Sequence, residues 1–206
     1  MLSFQRSIVK ELRNHPNLEW TLFHNGYFID YFGQPWAPTH MPPEVPFIDI
    51  EACKATIPGT GDDKVVWTHT ADVAKFVSCA ISMKPGTWPE HSWIIGDKIS
   101  LNEILATAEK ARGTKFQVTH DSIEKLKSGE VTPIPANKAH ASIYSTPEFD
   151  AYPLVLAMFA SLGSAMVSGD LDIAQEDSLN AYFPEIETIK IAEFIDKYWG
   201  GKYRKP

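Results

Sequence analysis

The residue types that most often carry chemistry are scattered along this chain of 206 residues. The histidines stand at His15, His24, His40, His69, His91, His120 and His140. No two are three or four residues apart, so none pairs on a helix face to hold a metal ion. Cys53 and Cys79 are the only cysteines, with no zinc-type spacing and no disulfide framework. The expectation is therefore no metal site. A serine-hydrolase elbow of the type G-x-S-x-G is absent. Gly59-Thr60-Gly61 is too little for a phosphate loop, since Lys64 stands where glycine is needed and no helix follows at once. It reads as a turn. Tyr198 and Lys202 have Tyr-x-x-x-Lys spacing, but Gly200-Gly201 interrupts the helix turn that would bring them to one face.

The elements follow from periodicity and punctuation. Phe4, Ile8 and Leu12 recur every four residues, with Val9 beside them, and predict a helix ending near Asn14, before His15-Pro16. Leu18 to His24 reads as a strand, broken by Asn25-Gly26. Helix, tight connection and strand make the second half of a βαβ unit. Five prolines between Gln34 and Pro46 predict an irregular loop. Strands are expected within Phe47–Ile57 and at Val65–Thr68, followed by a helix capped by Thr70 or a neighbour. Its buried face is read as Val73, Val77 and Ile81, with Ala74 and Ala80 allowing close packing. After a short strand at Trp93–Ile95, Ser100 and Glu103 form a capping box, and Gly113 closes that helix. Lys115–Thr119 is a strand candidate, and Asp121 with Glu124 suggests a second capping box. Val131–Pro147 reads as loop, and a helix is expected to start near Pro153. Asp172–Tyr182 reads as helical, and Thr188–Trp199 as an amphipathic helix with Ile189, Ala192, Ile195 and Tyr198 inward.

Bulk composition narrows the function classes. The chain is 44% hydrophobic and 22% charged, which suits one soluble globular domain with a sizeable core. Net charge is −7 and no basic cluster of five residues occurs, which argues against nucleic acid as a partner. Lys202, Arg204 and Lys205 make a short basic end, read as a solvated tail. No run of eighteen apolar residues is present and no signal-type run opens the chain, so no membrane partner is expected and the expected compartment is the cytoplasm.

Several segments together resemble the NmrA-like and isoflavone-reductase-like proteins, atypical short-chain dehydrogenase relatives, in their fungal form. They are Leu18-Glu19-Trp20-Thr21, His24 to Phe28 with Asp30-Tyr31, Ile57 to Asp62, Thr70 to Val77, Gly96 to Ile104, and Asn180 to Glu185 with the last helix. The resemblance implies an α/β fold: the C-terminal part of a Rossmann-like parallel sheet with a mostly helical substrate lobe. Residues 1–206 would form one partial NmrA-like domain, with 1–85 the remnant of the dinucleotide-binding sheet and 86–206 mainly the lobe. It implies NADP or NAD as cofactor and a small-molecule substrate, a carbonyl or an activated double bond, in secondary metabolism. Asn25, Gly26, Tyr27 and Phe28 match the loop that borders the nicotinamide. Gly26 would permit close backbone approach and the two rings could wall off a planar group; equally, Tyr27 and Phe28 could be core packing at a strand end. The family's catalytic lysine falls nearest Arg6, which cannot give up its proton near neutral pH. Lys10, one turn later, is the candidate acid/base; both also read as solvated helix charges.

No G-x-G-x-x-G turn precedes Leu18, so the expectation is a chain lacking the N-terminal Rossmann half that cradles pyrophosphate. A homodimer or a partner chain would then complete the sheet. The alternatives to an active oxidoreductase are a non-catalytic dinucleotide-sensing regulator and an inactive truncated homologue.

Overall fold

The computed structural model describes residues 3–201. The side chain of Phe4 and the residues Lys202, Arg204 and Lys205 lie outside the described residues, and with Lys202 the Tyr198–Lys202 spacing. In chain order the elements are α1 Ser3–Arg13, β1 Leu22–His24, β2 Tyr27–Phe28, β3 Ile48–Asp49, β4 Lys54–Pro58, β5 Lys64–Thr68, α2 Thr70–Ile81 and β6 His91–Trp93. Then come β7 Asp97–Ser100, α3 Leu101–Arg112, β8 Gln117–Asp121, α4 Ile123–Lys127, α5 Pro135–Ser142, α6 Tyr152–Val167, α7 Leu179–Tyr182 and α8 Ile191–Trp199.

The expected α/β architecture is present, with parallel and antiparallel pairs mixed. β1 pairs with β6, β2 with β5 and β4 with β8, all parallel. β5–β7 and β3–β4 are antiparallel. The β3–β4 connection is too short for a parallel crossover, so the two strands can only meet head to tail. Cys53 turns that corner with φ +54°. The strand expected over Leu18–His24 contracts to Leu22–His24. Upstream of it, the Glu19 carboxylate accepts from the Gly86 and Trp88 N–H groups, each at 2.9 Å. That segment is anchored through a side chain rather than through a ladder.

Local signals hold best at α3. Ser100 accepts from the Glu103 N–H, Glu103 accepts from the Ser100 N–H, and Gly113 ends the helix at φ +66°. Lys64 and the Ser100 N–H hold Glu103 down at a pKa of about 2. Four expectations are corrected. The buried face of α2 is Asp72, Phe76 and Ala80 rather than Val73, Val77 and Ile81, and Ile81 is exposed. The face turns because Asp72 accepts the Ile189 N–H at 2.7 Å and is drawn inward. α8 buries Ile191, Phe194, Ile195 and Trp199, since the Trp199 indole donates to the Phe32 carbonyl at 2.6 Å. Ser122, not Asp121, caps α4. Residues 131–147 are not all loop: Pro135 occupies the first turn of α5, where its missing N–H costs nothing.

One core cluster runs from Ile29 to Trp199 and joins Phe47, Trp67, Ile104 and Phe159. Truncating any one of its fully buried aromatics would cost about 3–5 kcal/mol. A smaller cluster of Phe76, Ala80, Ile94 and Leu179 packs α2 against α7 and the residue that follows β6.

Candidate functional site

The corner after β1 is built by its sequence. Gly26 turns at φ +66°. A Cβ there would lie 2.0 Å from the Val66 carbonyl oxygen, so the side left open by glycine is filled by β5. β2 then lies beside β5, with Tyr27 level with Trp67. The Tyr27 ring meets Trp67 edge-on at 5.8 Å and Tyr31 at 5.4 Å, and its hydroxyl donates to Glu44. The Phe28 ring meets Tyr31 edge-on at 6.3 Å. Asn25 donates to the Gly26 carbonyl at 3.3 Å and is partly exposed. It follows the carboxyl end of the parallel strand β1, where open α/β sheets gather their ligands. A flat nicotinamide therefore fits this corner in part. Asn25 is partly exposed at that strand end, while Gly26, Tyr27 and Phe28 are engaged in packing.

Lys10 is exposed on α1, and so is Arg6 one turn earlier. α1 is tied to the start of β6 by the Arg13–Glu90 ion pair. Among the described residues no hydrogen bond or ion pair joins Lys10 to Asn25–Phe28. Near the same strand end, His24 Nε2 lies 2.9 Å from His91 Nδ1, and Trp93 stacks on His24 at 4.1 Å. Burial first, and then the neighbouring His91, pushes the His24 pKa down. Among the described residues, no group of three or more metal-ligating side chains converges.

The folded chain assembles a second polar group that the sequence reading did not single out. Glu44 receives the Tyr27 hydroxyl with one oxygen, and its other oxygen lies 3.9 Å from His140 Nε2. His140 is buried, with Nδ1 2.7 Å from the Pro43 carbonyl. Burial raises the Glu44 pKa, partly offset by His140. Tyr31 is pushed up to about 12, by burial first and then by Tyr144 and Asp30. Beside this group lies a cavity of about 420 Å³ whose walls include Tyr31, Phe32, Pro43, Val45, Ala139 and Trp199. The usable signal was Ile134-Pro135 as the start of a helix, which would have placed His140 on an ordered element.

The chain is 27% identical to the oxidoreductase swnN of Arthroderma benhamiae over 96% of its own length and 67% of that protein. It is 29% identical to swnN of Metarhizium robertsii, over 96% of its length and 57% of that protein. Among solved structures, the isoflavone reductase superposes with a TM-score of 0.61 at 19% identity, over 94% of this chain and 57% of that one. The fold of the chain is isoflavone reductase-like. The NmrA-like and isoflavone-reductase-like resemblance read from its motifs is borne out. AtPrR2 with NADP+ and (+)pinoresinol matches with a TM-score of 0.60 at 17% identity, over 94% of this chain and 56% of that one. No protein-family profile matches the chain. The chain thus spans 57% to 67% of the length of the swnN relatives.

Proposed function

We propose that this chain forms the substrate-side part of an NAD(P)-dependent oxidoreductase that reduces a small carbonyl or an activated double bond, in secondary metabolism. The observation that carries the reading is the Asn25 corner, at the carboxyl end of a parallel strand, with the cavity walled by Tyr31 and Phe32 following it in sequence. Relatives named oxidoreductases, and a neighbour solved with NADP+, support it. In this reading the nicotinamide of the cofactor, as hydride donor, supplies the redox chemistry. The Asn25 amide offers a donor and an acceptor to the ring's edge. Gly26, Tyr27 and Phe28 shape the wall behind it, and the proline-rich loop and α6 border the substrate. Lys10 is the candidate acid/base. The protein acts in the cytoplasm, and a second copy or a partner chain pairs with the sheet.

One observation favours a second reading, a dinucleotide-sensing regulator without turnover. Arg6 stands where the resemblance places the lysine, and an arginine does not exchange its proton near neutral pH. Titrating the purified chain with NADPH and NADH, while following tryptophan fluorescence, tests both. Saturable quenching that weakens in Asn25→Ala, together with turnover of a carbonyl panel, is expected for the oxidoreductase. Saturable quenching without turnover supports the sensor. Absence of any saturable signal defeats both.

A further inference from the structure

The proline-rich loop walls the cavity through Gln34, Pro35, Pro43 and Val45. Its three consecutive residues 43–45 are each held, two from α5 and one from β2. His140 Nδ1 meets the Pro43 carbonyl at 2.7 Å, the Tyr27 hydroxyl donates to Glu44, and the Asn137 amide donates to the Val45 carbonyl at 2.8 Å. A carbonyl only accepts, so Nδ1 of His140 carries a hydrogen. What remains to face Glu44 is Nε2. The two side chains are 2% and 17% exposed, so little water stands by to separate them.

That geometry has an electrostatic consequence. With no proton on Nε2 or on the carboxyl, a lone pair faces a carboxylate in a poorly hydrated place, which is repulsive. One proton on either group makes the contact attractive. We propose that Glu44 and His140 form a proton-dependent latch that keeps the 34–46 loop closed over the cavity and releases it when the proton leaves.

The surrounding groups do not supply a substitute charge. Tyr27 faces Glu44 from β2, Tyr31 lies behind Tyr27, and Tyr144 meets the His140 ring at 5.3 Å. Phe159 covers His140 from α6 at 5.6 Å. Asp49 is occupied by the N–H groups of Ala52 and Ala136, and Lys138 lies over Tyr152. Among the described residues no lysine or arginine pairs with Glu44. Burial raises the Glu44 pKa. A carboxyl raised in the folded state contributes stability below its unfolded pKa and loses it as pH rises through the folded value. The loop is therefore closed at acid pH and opens as pH rises.

Hydrogen–deuterium exchange of the 34–46 segment in the full chain, from about pH 4 to about pH 8.5 and corrected for the intrinsic pH dependence, tests the latch. Protection in the wild type is expected to fall with rising pH, by about tenfold for each pKa unit separating closed from open loop. Glu44→Gln should remain closed across the range, because its amide donates to Nε2 and its oxygen still receives Tyr27. Tyr27→Phe should lower protection at every pH while keeping the slope. Three results overturn the proposal: a wild-type loop whose corrected protection is flat, a Glu44→Gln loop that follows the wild type, or equal loss of protection in α3, which would mean global unfolding. Far-UV circular dichroism confirms that each variant folds.

Discussion

Asp121 and Glu44 are both carboxylates that hold a loop, and they titrate in opposite directions. Asp121 is 1% exposed, at the end of β8. It receives Lys125 Nζ at 2.7 Å, the Thr132 N–H at 2.6 Å and the Thr132 hydroxyl at 2.7 Å. Burial opposes its charge, and these donors outweigh the burial and lower its pKa. Glu44 has one hydroxyl donor and a histidine at 3.9 Å, and burial raises its pKa. Burial opposes the charge of both, and the number and charge of the aimed donors decide whether it prevails. One loop is pinned by a permanent charge and the other by a proton that can leave.

The largest test of this contrast is Asp121→Ala. It leaves the Thr132 N–H without its acceptor and Lys125 with only the Thr132 hydroxyl, and a loss of about 3 kcal/mol is expected in urea unfolding. A loss below about 1 kcal/mol would erase the contrast. Asp121→Asn keeps the shape and removes the charge, so about 2 kcal/mol should disappear at neutral pH. The acid limb sharpens the same point. Asp121 is depressed, so its contribution is present above the unfolded carboxylate pKa and lost as pH falls through the lower folded value. Thermal melts of the wild type should weaken more steeply across that window than melts of Asp121→Asn; parallel curves would remove Asp121 from the acid response. Thr132→Val deletes only the hydroxyl, and about 1 kcal/mol is the expected change in the urea midpoint free energy. Glu44→Gln is the smallest, about 0.5 kcal/mol or less in acid, because both its contacts survive as neutral hydrogen bonds. A Glu44→Gln loss as large as that of Asp121→Asn would show the two loops to be held alike.

How far these features could be read from residues depended on distance along the chain. The Ser100–Glu103 box and the Gly113 stop are four-residue and one-residue devices, and both stand as expected. The Asn25-Gly26 corner was also legible as a break. What Gly26 is for was not, because the Val66 carbonyl that demands it comes forty residues later. α5 was read as loop because Pro133 and Pro135 looked like breakers, although a proline in the first turn starts a helix as readily as it ends one. The inward face of α2 differs from its apolar stripe, and that of α8 keeps Ile195 but adds Trp199, for one reason. Asp72 and Trp199 carry hydrogen bonds to Ile189 and Phe32, and a polar partner far away can outbid the apolar stripe.

By itself the sequence determined the α/β class, the caps and corners, the absence of paired histidines, and the segments that carry the reductase resemblance. These depend on neighbours within a turn or a strand, where backbone geometry leaves few choices. Only the tertiary structure decided that Tyr27, Glu44 and His140 meet. Their positions span more than a hundred residues, and it took β2, the proline-rich loop and α5 packing together to set a carboxylate against an imidazole. Burial and partner geometry then fixed which carboxylate's pKa falls and which one's rises.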